Sequence, residues 1–203
     1  SCTYFSNSGV SWYRIGLRGS TSQDATFSDV FVPEHRAVSM DDLKGDGRSP
    51  GSKVNTSWLY RAPPYAMFGC FIGCAPLGIA EAAVEYYLEN ARKRASTMSG
   101  SSVSSFTTQQ VKVAQARTEV LAARGLIYQV HEEIENLYQG GGSASVEDRT
   151  RYRAIATYAG KLAASAVNLV LEAGGGGVIY EPNPISRCAV DMTVANRHIT
   201  QNW

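Results

Sequence analysis

The sequence has 203 residues, of which 44% are hydrophobic and 18% charged, a balance typical of a folded globular chain and not of a disordered one. Its 19 basic and 18 acidic residues nearly cancel, so neither nucleic acid nor an anionic membrane surface is indicated as a partner. Four cysteines without Cys-x-x-Cys spacing, and no signal-peptide pattern, favour a reducing, cytoplasmic location.

The first forty residues are predicted to form β-structure. Residues 12–15 and 25–32 alternate apolar and polar side chains with the two-residue period of half-buried strands. Glycine and serine residues between the two runs indicate a turn, and Pro33 ends the second strand. Residues 40–55 are mostly Asp, Gly, Ser and Lys, which is typical of a linker. We therefore expect a β unit with a linker over residues 1–55 and a separate helical domain over residues 56–203.

Four long helices are predicted in the helical domain, over residues 62–95, 106–139, 146–173 and 184–202. Gly174 follows the third helix where a left-handed residue is favoured, and Pro184 suits the first turn of the fourth. The second helix has a stripe at three- and four-residue spacing that we expect to be buried: Val111, Ala114, Thr118, Leu121, Ala122, Gly125 and Leu126. Helices joined by loops predict an antiparallel four-helix bundle, hence an α+β fold that is mainly α.

One segment, residues 62–80, has no charged residue and contains Gly69-x-x-x-Gly73, a spacing found where membrane helices pair. Three prolines lie in it, and Glu81, Glu85 and Glu89 continue it as a water-facing helix. We therefore predict a tightly packed buried helix and no membrane contact.

Several short motifs give only weak evidence for a catalytic or metal site. His131-Glu132-Glu133-Ile134-Glu135 begins like a zinc-protease helix, but Glu135 stands where the second imidazole is needed, so a solvated helix face is favoured. Cys70 and Cys74 share a helix face without a third ligand close in sequence, which favours small buried thiols over a metal site. Motifs for Rossmann-type dinucleotide binding and for the Walker loop are absent from the sequence.

The glycine run at residues 174–177 has two possible roles. Glycines between helices let backbone N–H groups approach a phosphate or a flavin edge closely, but they also suit a plain flexible connection. The residues alone leave these alternatives open. Arg187 and Asp191, on the next helix, are four residues apart and are expected to pair.

Four segments in the same order resemble the acyl-CoA dehydrogenase superfamily. Gly175-Gly176, Pro184, Arg187 and Asp191 are similar to its C-terminal signature, and residues 16–22 with 29–36 are similar to the last strands of its middle β-domain. Tyr60-Arg61-Ala62-Pro63 and Leu77-Gly78-Ile79-Ala80 resemble its flavin-dependent monooxygenase branch in particular. The resemblance implies the C-terminal strands of the middle β-domain, then the superfamily's C-terminal bundle, and so the C-terminal half only of such a protein. Either a longer protein or a catalytically incomplete relative is expected.

The resemblance also implies site residues. The dehydrogenases place a catalytic Glu in a Tyr-Glu-Gly triplet after the Arg-Asp pair, but here the corresponding stretch is Asn196-Arg197-His198-Ile199-Thr200, and a histidine falls within one residue of the missing carboxylate. A His at this place is what the superfamily's two-component aromatic hydroxylases use to steady the oxygen adduct of reduced flavin, which implies His198 as the catalytic residue. Arg94, Gln109 and the glycine run Gly174, Gly175, Gly176 and Gly177 are the implied flavin contacts, and Glu172 departs from the usual Gln.

The implied protein is the oxygenase component of a two-component flavin-dependent monooxygenase, hydroxylating an aromatic, phenol-like or heteroatom substrate with O2. Its implied cofactor is reduced flavin, FMN or FAD, delivered by a separate flavin reductase. Its implied assembly is a homotetramer in which the flavin needs more than one subunit or the family's preceding domains, with no metal. The alternatives are an acyl-CoA dehydrogenase, distinguished by its base, and a non-enzymatic helical oligomerisation module, distinguished by the absence of flavin binding.

Overall fold

The computed structural model describes residues 6–7, 13–20, 24–96 and 99–201. Its strands and α-helices are β1 (Ser6–Asn7), β2 (Ala25–Thr26), α1 (Met40–Lys44), α2 (Pro64–Lys93), α3 (Thr107–Gln139), α4 (Val146–Gly174) and α5 (Pro184–Ala195). A short 3-10 turn, Ile199–Gln201, follows α5. The predicted mainly helical α+β fold is confirmed, but the fourth predicted helix, α5, ends at Ala195 and not near residue 202, because the chain turns there. Helices α2 and α4 are central, because each packs against the other three long helices.

The long helices begin where local chemistry favours a start. Ser145 and Asp148 form a reciprocal capping box at the first turn of α4, which satisfies backbone N–H groups that otherwise lack acceptors. The Asn183 side chain accepts from the Ile185 N–H at the start of α5, and Pro184 fills the first helical position, as predicted. These local signals account for helix starts that lie within two residues of the predicted ones.

The core of the bundle is rich in alanine. Ala80 and Ala83 of α2 and Ala163 and Ala166 of α4 are 0% exposed, so these helices approach closely along their contact. A second cluster lies around the start of α2 and the end of α3: Ala62, Met67, Cys70, Val130, Ile134, Tyr138, Ala144, Tyr152 and Ala156. The apolar composition of α2 follows from its place between these two clusters.

The stripe predicted to be buried on α3 is wrong. Val111 and Leu121 are 60% and 65% exposed, and the stripe's other members are exposed apart from the half-buried Leu126. The buried face of α3 is Ala116, Val120, Ala123, Ile127, Val130, Ile134 and Tyr138. Both faces have helical spacing, so periodicity alone could not choose between them; the face carrying the bulkier residues packs inside the chain.

Most of the predicted β-structure is also wrong. Tyr13, Arg14 and Ile15 are not in a strand, and the run 25–32 forms only β2, paired antiparallel with β1 through Ser6 and Thr26. Phe27 and Phe31 are 64% and 83% exposed. Within the described residues, the partners of this run are Ser6 and Asn7, which pair with Thr26 and Ala25. Cys2, Trp12 and Ser22 lie outside the described residues, and the proposed division at residue 55 stays a prediction.

Residues 13–20 lie against α5 through two close contacts. The Leu17 N–H donates to Oδ1 of Asp191 at 2.6 Å. The backbone of Gly16 runs so close to Val190 that a Cβ there would lie 2.6 Å from the Val190 carbonyl oxygen, which no side chain could accept. Asp191 also pairs with Arg187 at 3.7 Å, which confirms the predicted pair. Its carboxylate therefore binds both Leu17 and Arg187.

A polar cluster fastens the linker to the end of α3. The Asp46 carboxylate accepts from the Tyr138 hydroxyl and the Ser143 hydroxyl, and it pairs with Arg149 at 3.1 Å. Arg149 also donates to the carbonyls of Lys44 and Ala144. Because Tyr138 is only 1% exposed, this cluster links the linker to the core of the bundle.

Two helical segments of the described residues, Met67–Lys93 and Val146–Val178, are long and apolar enough to cross a membrane by length and composition. The most apolar stretch of Met67–Lys93 is 50% buried within the chain, and that of Val146–Val178 is 44% buried. Core helices of water-facing bundles pass the same test, and packing of α2 against α4 explains both segments. The prediction of no membrane contact stays a prediction.

Candidate functional site

Arg94 and the glycine run meet at one end of the bundle. Arg94 directly follows α2, and its Nη1 donates to the carbonyl of Gly174 at the end of α4, at 2.7 Å. At Gly177, a Cβ would lie 3.3 Å from the same Nη1, so a side chain there would crowd the guanidinium. The two elements are 80 residues apart in sequence, and the fold places them together.

Gln109 joins this group through Tyr87. The Tyr87 hydroxyl, on α2, donates to Oε1 of Gln109, near the start of α3, at 3.1 Å. Burial raises the pKa of Tyr87, and the nearby positive charge of Arg94 opposes that rise. Tyr87 was not predicted from sequence, because a tyrosine on an amphipathic helix has no pattern that separates it from core residues.

The glycine run turns the chain at a position one residue later than predicted. Gly174 keeps helical backbone angles, whereas Gly175 has the positive φ of 59° that a non-glycine residue rarely adopts. A Cβ at Gly174 would overlap the Val178 side chain, while Gly175 and Gly176 have open space around them. Backbone atoms of Gly175 and Gly176 can therefore be approached closely by a ligand.

A cavity of about 430 Å³ lies between these elements. Its lining is Tyr87, Asn90, Ala91, Lys93, Arg94, Val103, Gly174, Gly177, Val178, Asn183 and Ile185. The donors are a guanidinium, an ammonium and two amides, so the lining suits an anionic group such as the phosphate of a nucleotide cofactor. Glu172 does not add to this set, because it is exposed and pairs with Lys112 at 3.0 Å.

His198 lies in the turn after α5 and is half-buried. Its Nδ1 is 2.9 Å from the Thr200 hydroxyl and accepts from the Thr200 N–H at 3.3 Å. The Phe68 ring, in the first turns of α2, meets the imidazole in an edge-on arrangement with centroids 5.7 Å apart, and Tyr65 lies 6.3 Å beyond Phe68. His198 is thus held by Thr200 at Nδ1 and by the Phe68 ring.

The segment that carries His198 is seated between α2 and α4 by small residues. The Gln201 amide, 5% exposed, donates to the Gly69 carbonyl at 3.3 Å, and the Asn196 amide donates to the Gly160 carbonyl at 3.1 Å. The Thr200 carbonyl accepts from the Thr157 hydroxyl at 3.2 Å. The Gly69-x-x-x-Gly73 spacing therefore serves close packing against this segment, as the interpretation of a tightly packed helix predicted.

The two parts of the candidate site lie far apart within one chain. His198 contacts Phe68, and Arg94 follows Lys93, so 25 residues of α2 separate them, about 37 Å of helix. Along α4, Thr157 contacts the His198 segment and Gly174 contacts Arg94, a separation of about 26 Å. A flavin ring system is much smaller than either distance, so no single ring touches both parts of the same chain.

Other sequence motifs play no part in this site. Among the described residues no group of three or more His, Cys, Asp or Glu side chains could hold a metal ion. Cys70 is buried, as predicted, and burial raises its pKa to about 11, whereas Cys74 is exposed against prediction. The prediction of a solvated helix face is wrong for His131, because the imidazole is half-buried and packs against the Phe71 ring. Burial lowers the pKa of His131.

Comparison with protein families places residues 70–203 in a match to the acyl-CoA dehydrogenase, C-terminal domain model. The chain is 27% identical over 201 residues to the oxygenase component of an FADH(2)-dependent resorcinol hydroxylase from Rhizobium sp. (strain MTP-10005). That alignment covers 95% of this chain and 49% of the relative. The chain is 29% identical to the oxygenase subunit HsaA of a Mycobacterium tuberculosis flavin-dependent monooxygenase, over 92% of this chain and 48% of the relative.

The fold is similar to that of solved structures. The crystal structure of 3-HSA hydroxylase from Rhodococcus sp. RHA1 superposes with a TM-score of 0.86 at 24% identity, covering 98% of this chain and 50% of that one. At this identity the likeness shows the fold alone. The chain spans about half the length of the curated relatives it matches.

Proposed function

The chain belongs to the acyl-CoA dehydrogenase, C-terminal domain family, and from that premise we propose that it is the helical, C-terminal part of the oxygenase component of a two-component flavin-dependent monooxygenase. The substrate proposed is an aromatic, phenol-like or heteroatom compound, with reduced flavin and O2. The observation that carries the proposal is His198, which falls within one residue of the place of the dehydrogenase carboxylate and packs against Phe68, whose ring lies next to that of Tyr65. The names of the relatives at 27% and 29% identity support it.

The residues at the glycine turn fit a flavin nucleotide. When bound, the reduced flavin supplies the reaction with O2, which no side chain of this protein can provide. Arg94 has five N–H donors, one of which holds the Gly174 carbonyl, so the guanidinium remains able to bind a phosphate oxygen. The open backbone of Gly175 and Gly176 lets a cofactor edge approach without a clash.

His198 is the proposed catalytic residue of this reaction. A neutral imidazole can donate one hydrogen bond and accept another, so it can hold an oxygen atom or move a proton near neutral pH. A carboxylate base suits removal of an α-proton from a thioester, and the described contacts of His198 are with a threonine and a phenylalanine. Phe68 and Tyr65 would pack against an aromatic substrate and exclude water from the imidazole.

We also propose that each flavin is shared between copies. Because the glycine turn and His198 are about 26 Å apart along α4 of one chain, the turn of one copy would hold the cofactor whose ring faces the His198 of another. The exposed α3 stripe, with Tyr128 beyond its end, offers the surface for that contact: Val111 and Leu121 are 60% and 65% exposed, and Tyr128 is 61% exposed. Apolar stripes of this kind mark subunit interfaces, and a homotetramer is the assembly proposed.

The proposed partners follow from the reaction. Reduced flavin must come from a separate flavin reductase, which we place with this protein in the cytoplasm. Cys70, Cys74 and Cys188 are free thiols, as a reducing compartment favours.

The test supplies the whole protein with reductase-generated flavin, O2 and a panel of phenols, and it measures hydroxylated product and hydrogen peroxide per flavin oxidised. His198→Ala should lower product by about 10²- to 10⁴-fold, the range for a lost general acid or base, and raise peroxide. His35→Ala is the matched control, since His35 is exposed outside the site, and should leave both quantities unchanged.

Two outcomes would contradict the proposal. Oxidation of an acyl-CoA thioester by the same protein, without hydroxylation of any phenol, would identify a dehydrogenase. A lower melting temperature in His198→Ala, with an unchanged ratio of product to peroxide, would assign that residue a structural role.

A further inference from the structure

Thr200 contacts the imidazole of His198 in a way that decides which ring nitrogen carries the proton. The Thr200 backbone N–H donates to Nδ1 at 3.3 Å, and the Thr200 hydroxyl lies 2.9 Å from the same nitrogen. A backbone N–H can only donate, so Nδ1 must present its lone pair toward it. The neutral imidazole then carries its proton on Nε2, and the hydroxyl acts as a second donor to Nδ1.

Thr200 is itself fixed by both neighbouring helices. Its carbonyl lies 3.2 Å from the Thr157 hydroxyl of α4, whose one proton is shared with the Arg153 carbonyl at 2.9 Å, and a Cβ built on Gly69 of α2 would lie 3.8 Å from the Thr200 Cβ. The next residue, Gln201, is 5% exposed and bonds the Gly69 carbonyl. The donor pair at Nδ1 is therefore part of the packed bundle and not of a free loop.

We propose that Thr200 is a positioning residue that holds His198 as the Nε2–H tautomer, so that the imidazole meets its ligand as a hydrogen-bond donor. The Nε2–H lies on the side of the ring away from Thr200. It would donate to an oxygen atom, either of the substrate or at the cofactor. This inference rests on the proposed function and assigns the direction of the hydrogen bond that His198 makes in it.

The experiment is nitrogen NMR of the chain labelled with ¹⁵N-histidine, at an alkaline pH where free imidazole is neutral. The sequence has 3 histidines, and the His198 signals are assigned by their loss in His198→Gln. Wild type should show a protonated Nε2 and an unprotonated Nδ1. Thr200→Val keeps the shape but removes the hydroxyl, and it should lower the preference for Nε2–H by about fivefold, the factor for one ordinary hydrogen bond.

Two variants keep the test specific. Thr200→Ser retains the hydroxyl and should restore the wild-type tautomer. Thr193→Val removes an exposed hydroxyl of α5 that bonds only the Ala189 carbonyl among its described partners, and it should leave the His198 signals unchanged. In the coupled assay, Thr200→Val should lower the ratio of product to peroxide by about fivefold, with rescue by Thr200→Ser.

A proton on Nδ1 in wild type would overturn the inference, and so would a Thr200→Val spectrum identical to wild type. If the tautomer shifts as expected while the ratio of product to peroxide does not, Thr200 positions His198 as inferred, but the proposed function of His198 fails.

Discussion

Gly160→Ala offers a sharp test of how the His198 segment is seated. Gly160 lies in the middle of α4 with its face against the turn after α5. A Cβ at this position would lie 2.6 Å from Oε1 of Gln201 and 3.1 Å from Oδ1 of Asn196. Both oxygens belong to amides whose NH2 groups are already bonded, to the carbonyls of Gly69 and Gly160. The added methyl group therefore meets side chains that cannot simply rotate away.

The magnitude is the balance of two effects. Replacing a glycine inside a helix by alanine ordinarily stabilises a protein by about 0.5–1 kcal/mol, because the unfolded chain has less freedom to lose. Overpacking a close contact costs about 1–3 kcal/mol. Moving Gln201 away also breaks its bond to Gly69, which is worth about 1 kcal/mol. We expect Gly160→Ala to destabilise the chain by about 1–3 kcal/mol.

Gly78→Ala is the matched control, since Gly78 is inside α2 and a Cβ there would have no atom within 4 Å. This variant should be more stable than wild type by about 0.5–1 kcal/mol. Urea denaturation followed by circular dichroism measures both free energies of unfolding, and the His198 NMR signals report whether the turn moves. They should change in Gly160→Ala and stay unchanged in Gly78→Ala.

A Gly160→Ala variant as stable as Gly78→Ala would refute the reasoning, because it would mean that the Asn196 and Gln201 amides do not press on α4. Loss of stability without any change at His198 would refute the link between this packing and the candidate site.

Three further predictions concern other parts of the molecule. Burial, and then the hydrogen bond to a carboxylate, raise the pKa of Tyr138 to about 12. Because an unfolded tyrosine ionises at about pH 10, the free energy of unfolding should fall as the pH rises above that value. In urea titrations, Tyr138→Phe should flatten that fall. In a fluorescence titration, Arg94→Gln should weaken flavin binding by about tenfold to hundredfold, the range for a charged hydrogen bond. An equal loss in Arg92→Gln, a variant of an exposed neighbouring residue, would contradict a specific contact between Arg94 and the flavin. Leu121→Glu should dissociate the oligomer in sedimentation velocity, whereas Val146→Glu, at an equally exposed residue of α4, should leave it intact.

The helices could be predicted because their signals are local. Ser145, Asn183 and Pro184 mark helix starts through bonds to their own next turn, so no knowledge of the rest of the chain is needed. The inner face of α3 could not be predicted, because the stripe with Val111 and Leu121 and the face with Val120 and Ile127 both repeat with helical periodicity. Which stripe is buried depends on where α4 packs, and sequence periodicity does not contain that information.

The candidate site was predictable only in part. Arg94, Gln109 and the glycine run came from the resemblance, and the fold brings them to one end of the bundle. Tyr87, Phe68 and Thr200 were missed, because each acts through a contact with a residue distant in space or through turn geometry. A His-x-Thr spacing is too common to suggest that a backbone N–H would meet the imidazole.

The attachment of Leu17 to Asp191 has a consequence for the order of folding. Its two residues are 174 positions apart, so this hydrogen bond closes nearly the whole chain and carries a large loop-closure entropy. Helices α3 and α4 are joined by the short loop at residues 140–145, and such local contacts form early. During synthesis, the Leu17 amide leaves the ribosome long before its acceptor exists. We therefore expect residues 13–20 to dock after the helices have packed. The hydrogen bond from Leu17 can form only when α5, which carries Asp191, has taken its position in the bundle.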